Sequence, residues 1–154
     1  RRGQRKTIAA PGTPAYRHVF GALNWKTAQV DHLITHHKNT DAFIAFLEHL
    51  LLTCYPTDKL ILVLDNAAYH KSRAALAALD SFAHRLRVFW LPTYSPYLNP
   101  IERFWLHLKN LASANRLHSC LADLTAAIDQ TIAAQNDPSN SDRLTFVQHF
   151  RLTA

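Results

Sequence analysis

The stretch Leu60-Ile-Leu-Val-Leu-Asp-Asn-Ala-Ala-Tyr-His-Lys-Ser72 sets a five-residue apolar run directly against a carboxylate. A short run without polar alternation predicts a β-strand buried on both faces, as in a sheet covered by helices. Asp65 stands at the C-terminal end of that strand, where open α/β sheets hold their ligands. A carboxylate buried there without a partner is costly, so it needs a cation, a donor or water. Asn66 adds a second oxygen beside it. Two readings stand at this point: Asp65 caps the next helix or starts a turn, or it holds a metal.

Upstream, Asn39 is a good N-cap for a helix reaching about Cys54. Phe43, Phe46, Leu47, Leu50, Leu51 and Cys54 fall on one face of it, and Pro56 and Asp58 end it. Before that helix, residues 17–23 and 28–34 predict two strands joined by a turn at Asn24-Trp25-Lys26, a hairpin. Downstream, Ser72 to about Ala83 is an alanine-rich helix and Leu86 to Leu91 a further strand. A loop with Pro92 and Pro96 follows. Asn99-Pro100 starts a helix to about Leu111, with Asn99 as N-cap and Pro100 as first helical residue. Residues 120–135 form an amphipathic helix through Leu121, Leu124, Ile128 and Ile132. Residues 136–140 make a turn, and 141–150 a last short helix. The order implies one α/β domain over residues 1–154, a mixed sheet flanked by helices. The hairpin is antiparallel, and the helix crossovers favour parallel pairing of the later strands.

With 154 residues, 48 % of them hydrophobic and 18 % charged, the chain can bury a core without staples. No apolar run spans the roughly 18 residues a membrane helix needs, so no membrane partner is expected. Only three glycines occur, Gly3, Gly12 and Gly21, and no glycine-rich loop follows a strand. A nucleotide cofactor is therefore not expected. Cys54 and Cys120 lie in helical patterns and are expected to be buried thiols rather than a disulfide. The net charge of +6 is uneven. Arg1, Arg2, Arg5 and Lys6 crowd into a basic segment over residues 1–16. That segment is either a solvated tail or an arm for a polyanion such as nucleic acid. Methionine is absent, so the chain is expected to be an internal fragment of something longer.

A second carboxylate lies in the run Trp90-Leu-Pro-Thr-Tyr-Ser-Pro-Tyr-Leu-Asn-Pro-Ile-Glu-Arg-Phe-Trp105. Glu102 sits three residues after Asn99. That is the capping-box position and one favoured by the helix dipole. Alternatively, the helix start projects Glu102 toward Asp65. Two carboxylates converging from separate elements can hold Mg²⁺ through oxygen ligands.

Three stretches together resemble the DDE transposases of the mariner superfamily, in particular the bacterial insertion-sequence branch with its DDE superfamily endonuclease domain. They are Phe20-Gly-Ala-Leu-Asn24, Leu62 to Ser72, and Leu91 to Trp105. The last is the most specific, and the likeness extends more weakly over most of the chain. The resemblance implies an RNase H-like fold and three acidic metal ligands, with Mg²⁺ or Mn²⁺ as cofactor, two ions in the intact site. The second family acid falls on Asp65 and the third on Glu102, 37 positions on. Asn66 and His70 match the motif around the second acid and are assigned supporting roles. His70 could equally be a surface histidine. Implied DNA contacts are Arg1, Arg2, Arg5, Lys6, Lys71, Arg73, Tyr94, Tyr97 and Arg103.

The implied activity is hydrolysis at transposon ends followed by strand transfer into target DNA, in the bacterial cytoplasm and at the nucleoid. The departure is the first acid. In the family it lies on a strand before the hairpin, and here no acidic residue precedes Asp31. Asp31 is on the wrong strand by the family's order and suits a turn or surface role, while Asp41 suits the start of its helix. The chain is therefore expected to lack the first, central strand and to be inactive alone. Its exposed strand edges predict an altered sheet or a homodimer. The rival expectation is an inactive remnant that only binds DNA or self-associates. A different RNase H-like nuclease is a third. His36-His37 lacks the spacing of a metal site, and Trp25, Trp90 and Trp105 are expected to pack.

Overall fold

The computed structural model describes residues 16–93, 95–114, 116 and 118–145. Arg1, Arg2, Arg5, Lys6 and Tyr94 lie outside these, as does most of the last expected helix. Residues 141–145, which are described, form turn and coil instead of helix. The elements are β1 (His18–Leu23), β2 (Val30–Thr35), α1 (Thr40–Glu48), β3 (Leu60–Leu64), α2 (Arg73–Ser81), β4 (Leu86–Trp90), α3 (Ile101–Ala112) and α4 (Leu121–Asn136). None of these helices is long and apolar enough to cross a membrane.

β1 and β2 pair antiparallel with Phe20 opposite Leu33, and β3 and β4 pair parallel with Leu62 opposite Val88. Among the described residues these are two two-stranded sheets, the mixed pairing that the sequence predicts. The turn between β1 and β2 runs further than Asn24–Lys26. Asn24 accepts through its side chain from the N–H groups of Lys26 and Thr27. Ala28 takes a left-handed φ of 60°, a conformation no strand residue holds. β2 therefore begins at Val30.

Alternation along the strands divides the core. Phe20, Ala22, Leu33, Leu60, Leu62, Leu64, Leu86 and Val88 face Phe43, Phe46, Leu47 and Leu51 of the first helical segment and Ala75 and Leu79 of α2. On the opposite face of the hairpin, Val19, Leu23, Val30 and Ile34 meet Ile101, Phe104 and Leu108 of α3 and Ile128 and Ile132 of α4. β3 departs from the expected burial on both faces. Ile61 is 71 % exposed, Val63 47 % and Phe89 of β4 60 %. Helices α1 and α2 cover one side of this strand pair, and its other side is open.

Asn39 caps α1 as expected, accepting from the N–H of Ala42 at 3.0 Å. The helix then widens into a π turn over His49–Cys54, with the Tyr55 N–H bonded to the Leu50 carbonyl. Arg85 closes this end by donating to the carbonyls of Leu51 and Tyr55, groups that a helix end leaves without partners. Ser72 caps α2 through the N–H of Ala75. Asn39→Ala and Ser72→Ala should each cost about 1 kcal/mol, read as a lower urea midpoint at unchanged slope.

The thiols differ from expectation. Both are free, but Cys54 is half-buried and Cys120 is exposed, just before the first residue of α4. Burial, then the nearby Asp31, pushes the Cys54 thiol up. Asp31 itself is neither in a turn nor fully exposed: it lies in β2 and accepts from the Tyr55 hydroxyl at 2.9 Å. Gly21 matters for packing. A Cβ there would lie 2.6 Å from the tip of the Trp105 ring, so the bare backbone is what lets α3 settle against β1.

Candidate functional site

β3 ends at Leu64, and the chain turns through a short 3₁₀ segment, Ala68–His70, before α2. That turn folds His70 back onto Asp65. The imidazole Nδ1 lies 2.8 Å from Asp65 Oδ1, and the Ala67 N–H also donates to Oδ1, at 3.1 Å. One carboxylate oxygen is thus held by two donors, and the side chain remains 51 % exposed. His70 is buried, not on the surface, with its ring 4.4 Å from those of Phe43 and Tyr69. Burial holds its pKa below the ordinary histidine value against the opposing pull of Asp65. A neutral imidazole donating from Nδ1 fixes both its own tautomer and the carboxylate's orientation. Asn66 works differently from a bare oxygen donor. Its amide nitrogen donates to the Leu91 carbonyl and ties the end of β3 to the end of β4.

Glu102 lies in the first turn of α3 and is exposed. The capping box does not form: Pro100, in helical geometry, occupies the cap and no side-chain cap bond is made. The carboxylate is therefore not engaged in closing its own helix. Phe104, which follows on α3, is fully buried and anchors this helix start.

Tyr69 packs edge-on against His70. Its phenol is pushed up to about 12, first by burial, then by the charge of Asp65, then by that of Glu102. Two carboxylates from separate elements thus act on one hydroxyl. Among the described residues no three His, Cys, Asp or Glu side chains are grouped to hold a metal. The pair present is of oxygen donors open to solvent, a set that suits Mg²⁺ or Mn²⁺, which keep several waters and use one or two carboxylates.

Of the expected DNA contacts, Arg73, Arg103 and Tyr97 are exposed. The Lys71 ammonium lies 5.2 Å from the centroid of the Trp90 ring. Trp90 and Trp25 are exposed, at 37 % and 52 %, whereas Trp105 is half-buried in the second core. His36 and His37 are exposed loop residues. Two residues at the site carry no sequence signal of their own. Tyr69 is half-buried through its tertiary contacts, and Lys38 lies with its ammonium 5.5 Å from the Tyr69 ring centroid.

Residues 1–125 match the DDE superfamily endonuclease family. The chain belongs to that family. All three stretches that carry the sequence resemblance fall within this match. A relative in the same group, an uncharacterized 39 kDa protein of insertion element IS630 from Shigella sonnei, is 33 % identical over 119 residues. The alignment takes in 77 % of this chain and 34 % of the relative, so the chain spans about a third of that protein's length. In fold, the chain is similar to Mos1 transposase solved as a paired-end complex with the left transposon end. The TM-score is 0.63 at 20 % identity, over 86 % of this chain and 44 % of that one. It is also similar to a chain of the simian T-cell lymphotropic virus intasome solved with PP2A regulatory subunit B56 gamma. There the TM-score is 0.52 at 18 % identity, over 81 % and 51 % of the two chains. The likeness to these structures is one of fold, an RNase H-like α/β arrangement.

Proposed function

We propose that this chain is the catalytic domain of a metal-dependent DNA transposase, with Asp65 and Glu102 as two of its metal-holding carboxylates. The observation that supports this reading is Asp65 just beyond the end of β3, its Oδ1 held by His70 and the Ala67 N–H and its side chain open to solvent. A divalent ion held there, one of two in the intact site, would supply Lewis-acid charge stabilisation to a phosphodiester under attack. His70 and the Ala67 N–H hold one oxygen of Asp65 and leave the other for the ion. Asn66 keeps the strand end in register with β4. Lys71 and Arg73, on the segment that follows Asp65, are placed to take backbone phosphates, contacts that position DNA without reading its sequence. The reaction is attack by water at the transposon end, then attack by the freed 3′-hydroxyl on target DNA. The working partner is DNA and the working unit a homodimer, at the nucleoid.

The test is a cleavage assay of the full-length protein on duplex DNA bearing the ends of its own element. Nicks at the element's end should appear with Mg²⁺ or Mn²⁺ and vanish with EDTA. Cleavage that persists in EDTA overturns the metal role. DNA binding with no cleavage under any divalent ion makes the protein a remnant instead.

A further inference from the structure

Lys38 lies in the loop between β2 and α1, among exposed neighbours. That loop is held at both ends. Thr35 donates to the His37 carbonyl at 2.9 Å, and Asn39 caps α1. One residue further, the Thr40 hydroxyl donates to the Ser72 hydroxyl at 3.1 Å, joining the start of α1 to the start of α2. The loop is thereby bound to the segment that carries Asp65, Tyr69 and His70.

The ammonium of Lys38 sits over the Tyr69 ring. That ring is a fixed platform. Phe20 meets it edge-on at 5.8 Å, Phe43 lies at 6.5 Å and His70 at 4.4 Å. A cation over an aromatic face is attracted to it but keeps its charge. Among the described residues Lys38 forms no ion pair, since both ion pairs there involve histidine. Its charge is felt at His70, whose protonation it opposes. The hydroxyl at the far end of the same ring stands in the field of Asp65 and Glu102. An un-neutralised cation is therefore held on Tyr69, whose ring packs on His70, which in turn holds Asp65.

A nucleic-acid strand entering this place meets a difficulty. The two acids repel its phosphates, and an ion held between them offsets that at only one phosphodiester. A neighbouring phosphate needs a cation of its own, and lysine serves as such a point charge. We propose that Lys38 is a phosphate-positioning residue, its ammonium, seated on Tyr69, binding the DNA phosphate next to the one cleaved between Asp65 and Glu102. This inference rests on the proposed function and names a contact that the sequence motifs do not include.

The test compares full-length Lys38→Met, which keeps an apolar stem without charge, with Lys38→Arg, which keeps the charge. Lys38 is exposed, so both variants should melt as the unaltered protein does. Affinity for element-end duplex is measured as a function of salt, in EDTA so that no cleavage intervenes. Lys38→Met should weaken binding about tenfold and make the slope of log affinity against log salt shallower by about one. In the cleavage assay it should raise KM more than it lowers kcat. Lys38→Arg should restore both slope and KM. An unchanged slope in Lys38→Met overturns the proposal, as does a Lys38→Arg protein no better than Lys38→Met. The binding arm needs no chemistry, so it decides the role of Lys38 even if the cleavage assay fails.

Discussion

Full-length protein carrying Asp65→Asn or Glu102→Gln is expected to lose Mg²⁺-dependent cleavage by about a thousandfold or more, while its affinity for DNA stays intact. Charge stabilisation by a held metal is worth several kcal/mol, and each ~1.4 kcal/mol is a factor of ten in rate. These replacements are nearly isosteric, so the test isolates charge. In Asp65→Asn the amide oxygen still accepts from His70 and from the Ala67 N–H, the two donors that hold Asp65 Oδ1. In Glu102→Gln nothing in the helix cap changes, because Glu102 takes no part in it. DNA binding survives, since removing a negative charge lessens repulsion of phosphates. The geometry has a readout apart from activity. Burial first, then the charges of Asp65 and Glu102, push the Tyr69 phenol up to about 12. Each substitution should therefore bring that tyrosine's ultraviolet titration to lower pH. Cleavage retained in either variant sinks the assignment of that acid.

Phe104→Ala should destabilise the fold by about 3–5 kcal/mol, a large share of the roughly 5–15 kcal/mol that holds a domain together. Phe104 is 0 % exposed and lies in the second core with Val30, Leu108, Ile128 and Ile132. Truncating it leaves a cavity between α3, α4 and the hairpin. Leu106, two residues on and 63 % exposed, is the control: Leu106→Ala should change stability by no more than about 0.5 kcal/mol. Urea midpoints of the two variants check this. Phe104 also anchors the helix that starts at Glu102, so the same truncation should loosen the site as it loosens the core. Equal midpoints would mean that α3 is not seated where it is described.

Local chemistry made much of this protein legible. The unbroken run Leu60–Leu64 announced a strand, and that strand ends just before Asp65. Asn39 and Ser72 stand where helix starts need an oxygen acceptor, and a helix between β3 and β4 required their parallel pairing. The stretch from Leu91 to Trp105 carried the family, and the match over residues 1–125 bears that out. All of these signals act over a few residues, through capping bonds, side-chain periodicity and backbone preference.

What the fold decided acts over longer distances. The apolar run predicted burial on both faces of β3, but cover depends on which helices arrive, and α1 and α2 reach only one. Capping rules gave Glu102 a box it does not make, because Pro100 takes the cap. His70 is buried because Phe43 and Tyr69 close over it. Lys38 meets Tyr69 across 31 positions of chain. α3 lies against β1 because Trp105 fills the space that Gly21 leaves. No local pattern encodes that contact. The sequence by itself determined the family, the strand that ends before Asp65 and the helix whose first turn holds Glu102. Only packing between distant elements buried His70 against Phe43 and seated Lys38 on the Tyr69 ring.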